Sequence, residues 1–75
     1  MSKKFQFTAV IERENEGYVS SCPELDIASQ GDTVEEASAN LKEAVELFLE
    51  HASETEVSQR LHCEVFVTRL EVAIG

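Results

Sequence analysis

The sequence predicts an α+β domain with elements in the order strand, strand, strand, helix, strand. Three observations predict it. Apolar residues alternate through Phe5, Phe7, Ala9 and Ile11, which is the period of a half-buried strand. A capping signature, Thr33-Val34-Glu35-Glu36, opens a stretch with apolar residues at helical spacing. A β-prone segment from Leu61 to Ile74 closes the chain.

The first strand covers Phe5 to Glu12, with Gln6, Thr8, Val10 and Glu12 on its other face. Glu14-Asn15-Glu16-Gly17 is a polar turn in which Gly17 is expected to take the positive φ. Tyr18 to Cys22 is the return strand of a hairpin, and Pro23, which has no N–H, ends it. Pro23-Glu24-Leu25-Asp26 is a loop, Ile27 to Gln30 a short third strand, and Gly31-Asp32 a second turn.

The helix is expected to run from the Thr33 cap to about Ala52. Val34, Ala37, Leu41, Val45, Phe48 and Ala52 form one stripe, widened by Ala44 and Leu49. Glu35, Glu43, Glu46 and Glu50 point away, with Leu47 among them. The capping box predicts two bonds, from the Glu36 N–H to the Thr33 hydroxyl and from the Thr33 N–H to the Glu36 carboxylate.

Ser53 to Arg60 reads as a polar connection with room for a helical turn. In the last segment Cys63, Val65 and Val67 are apolar on one parity, and Phe66, Leu70, Val72 and Ile74 on the other. The final strand is expected to return by a right-handed crossover to lie beside the first, giving the spatial order third, second, first, fourth. One helix covers one sheet face, which leaves Phe66, Leu70, Val72 and Ile74 as the candidate interface of a homo-oligomer, a symmetric dimer at its simplest.

Composition bounds the function. The chain has 75 residues, enough for one domain, with 43% hydrophobic and 28% charged residues. Its net charge of −9 disfavours direct contact with nucleic acid and favours a basic partner. No run approaches the about 20 apolar residues of a membrane span, and no apolar core of a signal peptide follows Lys3-Lys4. The expectation is a cytoplasmic protein with Cys22 and Cys63 reduced.

No chemistry is legible. The acids are spread over helix face and turns, and Glu12, Glu64 and Glu71 do not make a two-metal site. Cys22, His51, His62 and Cys63 lack the paired short spacing of zinc ligands. Neither cysteine has a neighbouring base to activate it. The expectation is a binding domain with no cofactor, no metal and no catalytic residue.

Gly17-Tyr18-Val19, Cys22-Pro23-Glu24-Leu25, Ser29-Gln30-Gly31-Asp32-Thr33 with Glu35-Glu36-Ala37, and Asn40-Leu41-Lys42-Glu43-Ala44 together resemble HicB-family antitoxins, over roughly the first fifty residues. The resemblance implies a partial RNase H-like fold. It also implies a partner, a small basic HicA-type ribonuclease of double-stranded-RNA-binding-like fold that cleaves messenger RNA with a histidine. Candidate toxin contacts are Glu24 and Asp26 on the loop and Glu43, Glu46, Leu47 and Glu50 on the outer helix. The loop Asp26-Ile27 is shorter than in many members. The sequence stops at Gly75, where many continue into a DNA-binding domain, so operator binding is not expected. The alternative is an orphan, stand-alone oligomeric interaction domain without a toxin.

Overall fold

The computed structural model describes residues 6–61 and 65–75. Three strands, β1 (Val10–Glu14), β2 (Gly17–Cys22) and β3 (Ile27–Gly31), form an antiparallel meander in the order β1-β2-β3. Two helices follow, α1 (Val34–His51) and α2 (Glu54–Leu61). The α+β class and the run of three strands into a helix agree with the sequence reading.

Register follows from the turns. Glu14 pairs with Gly17 across a tight hairpin, and Ile11 with Ser20. Ser20 in turn pairs with Ser29, and Cys22 with Ile27. Ser20 and Cys22 therefore share the face that α1 covers, and both are buried. Leu25, Leu41 and Val45 complete the core with Cys22, and Phe7, Ile27, Phe48 and Leu49 pack against it.

Two turn details differ from expectation. Asn15, at φ 55, takes the left-handed conformation of the hairpin turn, a role short polar side chains tolerate. Gly17 is needed for closeness instead: a Cβ there would lie 3.0 Å from the Gly31 carbonyl oxygen. Gly31 ends β3 and is tighter still, with a Cβ falling 2.5 Å from the Ala37 backbone nitrogen. The β3–α1 connection is short, so the strand end and the first helical turn meet without room for a side chain.

The capping box forms with one change. The Glu36 N–H donates to the Thr33 hydroxyl at 3.0 Å, but the Glu36 carboxylate accepts from the N–H of Asp32, at 3.1 Å, not from Thr33. Thr33 is extended, as a cap requires. Ser20, fully buried, donates its hydroxyl to the Ala37 carbonyl at 2.9 Å and ties β2 to the helix.

β1 begins later than the alternation suggests. Val10 pairs with Ser21, so the next residues back would have to pair with Cys22 and Pro23, where β2 stops. Residues 6–9 continue without regular structure. Phe5 lies outside the described residues.

The polar connection is a helix. The Ser53 hydroxyl accepts from the Glu56 N–H at 3.1 Å, capping α2. Arg60 holds α2 against the body: its guanidinium lies 4.6 Å from the Phe48 ring centroid and donates to the Leu25 carbonyl.

Among the described residues the expected fourth strand is absent from the sheet. Residues 65–75 have no regular structure and pair with nothing in the sheet, whose order ends at β1. Phe66 and Leu70 are each 85% exposed and Ile74 97%. A strand exists only against a partner, and among the described residues this segment pairs with no strand. His62, Cys63 and Glu64 lie outside the described residues.

Candidate interaction surface

The outer face of α1 is built by helical geometry alone. Ala37, Leu41 and Val45 are buried toward the sheet. Glu43, Glu46, Leu47 and Glu50 fall on the opposite side and are exposed, Leu47 by 50%. The helix thus presents three carboxylates around one apolar side chain.

The loop candidates separate. Asp26 is exposed, at a φ of 55 that closes the turn before β3. Glu24 is half-buried and committed internally. Its carboxylate accepts from the Thr8 N–H at 2.9 and 3.1 Å and from the Thr8 hydroxyl at 2.6 Å. Burial pushes the Glu24 carboxyl up, but the Thr8 hydroxyl and nearby backbone N–H groups outweigh it and hold the group below its usual range. Glu24 therefore replaces the pairing that β2 cannot offer beyond Cys22, and fastens residues 6–9 to the domain. Sequence reasoning placed Glu24 among surface acids; the Pro23 strand stop was the signal that a neighbouring acceptor had work inside the fold.

This anchor makes a pH prediction. A folded-state pKa below the unfolded one means that the unfolded chain binds the proton more readily. The stabilisation is present above the ordinary carboxylate range and is lost as pH falls through the folded value. Glu24→Ala should cost about 1–2 kcal/mol near neutral pH. Denaturant melts of parent and variant should converge under acid conditions.

Cys22 is buried, with its Sγ 3.6 Å from a Glu24 carboxylate oxygen. Burial, helped by the adjacent carboxylate, pushes its thiol up. A thiol so placed is a small core hydrophobe, not a nucleophile.

Among the described residues no group of three or more His, Cys, Asp or Glu side chains could hold a metal ion. No described helix is long and apolar enough to cross a membrane.

A second feature flanks the helix. Phe7, Thr8 and Ala9 on one side, and Ser38, Leu41, Lys42, Val45, Glu46 and Leu49 on the other, line an open, largely apolar groove of about 380 Å³. Cys22, at the end of β2, also lines it, so it lies where residues 7–9 lead into β1.

No family model matches the chain, and no solved structure matches it. Two proteins of Synechocystis sp. do. The UPF0150 protein ssl0738 is 49% identical over 49 residues, which is 63% of this chain and 68% of that protein. The UPF0150 protein ssr1765 is 46% identical over 48 residues, 61% of each chain. Identity near one half over most of a small domain makes a shared fold and ancestry secure: the chain belongs to the UPF0150 family.

Proposed function

We propose that this domain is an antitoxin that binds and masks a small basic ribonuclease of HicA type. The observation that carries the reading is the outer face of α1, where Glu43, Glu46 and Glu50 surround the half-exposed Leu47. The HicB-like motifs supply the partner class, and with it a partial RNase H-like fold and a cytoplasmic setting.

The physics supplies a mechanism. A ribonuclease must present positive charge to phosphates, and a domain of net charge −9 can occupy the same surface. Leu47 is the desolvated anchor of this contact, and the acids around it steer association. Asp26 adds a loop contact, whereas recruiting Glu24 would cost its bonds to Thr8. Masking needs no cofactor, no metal and no catalytic residue from this chain, and no direct contact with nucleic acid.

Co-expression with the basic protein encoded beside this chain is the test. The neighbour should arrest growth alone, and this chain should bind it and restore growth. A toxic neighbour that is neither bound nor neutralised sinks the antitoxin reading. The second reading, a stand-alone oligomeric interaction domain, is favoured by the exposed apolar segment 65–75. A locus with no basic neighbour would select it.

A further inference from the structure

The second helix is joined to the domain by little. α2 has no buried residue, and none of its side chains belongs to the core or to the apolar rim packed against it. Its eight residues are too few to hold a helix without support. Within α2 only Val57 and Arg60 are half-buried, and their spacing puts them on one face.

Arg60 holds that face down. Its guanidinium lies over the Phe48 ring, 4.6 Å from the centroid, and donates to the Leu25 carbonyl. Phe48 is in the last turn of α1, and Leu25 lies 35 residues before Arg60, in the loop between β2 and β3. One side chain therefore joins α2 to a helix and to a loop. The other end of α2 is a hinge. Ala52 ends α1 in an extended conformation, with φ −77 and ψ 147. Its N–H donates to the Phe48 carbonyl at 2.8 Å, and turning ψ of Ala52 leaves that bond intact. Ser53 then caps α2 through the Glu56 N–H.

We infer that α2 is a strap, hinged at Ala52 and clasped to the loop 23–26 by Arg60, that opens while β1–β3 and α1 stay folded. Closed, it keeps the Leu25 carbonyl bonded and one face of Phe48 covered. Open, it loses the surface that supports it and melts as it leaves. Its eight residues then reach about 26 Å instead of about 12 Å. Residues 65–75 follow the strap in the chain, with Phe66, Leu70 and Ile74 between 85% and 97% exposed. The state of the strap thus sets how far from the body that apolar segment can meet a partner. The loop responds as well. Asp26, at φ 55, directly follows the clasped Leu25, so closure steadies the exposed loop acid. The inference does not depend on the antitoxin reading and can fail or hold without it.

Native-state hydrogen exchange on the full chain, read amide by amide by NMR, tests it. The amides of Ser58 to Leu61 should exchange about a hundredfold or more faster than those of Leu41 and Val45. Their rates should be insensitive to low denaturant, because little surface opens with the strap. Arg60→Ala should speed α2 exchange by about a further tenfold and leave Leu41 and Val45 unchanged. Arg60→Lys, which keeps the charge but not the fork, should fall between. The Asp26 amide nitrogen is conjugated to the Leu25 carbonyl, so it should shift in Arg60→Ala. Amides of α1 and α2 that exchange with one common free energy would show a single cooperative unit and overturn the strap. Amides of α2 with no protection in the parent would show that the clasp never closes. Equal loss of protection in both helices of Arg60→Ala, or an α2 rate or Asp26 nitrogen that this variant leaves unchanged, would equally contradict it.

Discussion

Gly31→Ala is expected to lower the unfolding free energy by about 3 kcal/mol or more, the largest single-residue effect in the domain. The new Cβ would sit 2.5 Å from the Ala37 nitrogen, 2.8 Å from the Glu36 carbonyl carbon and 3.0 Å from the Ala37 Cα. All three are backbone atoms, so no side chain can swing aside. The first turns of α1 must lift from β3. That movement stretches the bond from the Ser20 hydroxyl to the Ala37 carbonyl, now 2.9 Å, and leaves a buried hydroxyl without its partner. A domain of this size has only about 4–11 kcal/mol in total. Denaturant midpoints of parent and variant measure the loss. A shift worth less than about 0.5 kcal/mol, the scatter of ordinary surface changes, would mean that strand and helix have slack the geometry does not show.

Charge reversal on the outer helix should act on binding and spare the fold. Glu43→Lys, Glu46→Lys and Glu50→Lys together are expected to slow association with the basic partner by about a hundredfold at low salt. The salt dependence of the association rate should flatten as well, because it comes from the same long-range attraction. The side chains are exposed, so stability should change by less than about 1 kcal/mol. Glu46 also rims the groove beside β1, so the Glu43→Lys, Glu50→Lys pair is the cleaner variant. Leu47→Ala should chiefly speed dissociation, as loss of an anchor does. Stopped-flow mixing separates the two. An unchanged association rate in the reversed variant would remove this face from the contact.

Local rules were legible in the residues, and partnership was not. The Thr33 cap, the stripe through Ala37, Leu41 and Val45, and the strand stop at Pro23 are dictated by neighbours in sequence, and each is found in place. The second helix carried the same kind of signal: Ser53-Glu54-Thr55-Glu56 repeats the pattern of a capping box, and its cap bond forms. Its polar composition and weak burial obscured it. The alternation from Phe5 onward is real, but alternation says nothing of where the partner strand ends, and β2 ends at Cys22. Glu24 is the same lesson on a single side chain, a loop acid turned inward by a hydrogen-bonding need that arises only once β2 has stopped. The last segment, read from its β-prone residues as a strand apolar on both parities, has no regular structure over residues 65–75. β propensity alone does not supply the partner that a strand needs.

The most direct test of masking is an RNA cleavage assay with the purified basic neighbour and rising amounts of this protein. Cleavage should fall in proportion to added protein and vanish at a fixed stoichiometry, and the Glu43→Lys, Glu50→Lys variant should need longer preincubation to reach the same inhibition. Cleavage that continues undiminished in the presence of excess protein would contradict the claim that this domain covers a ribonuclease.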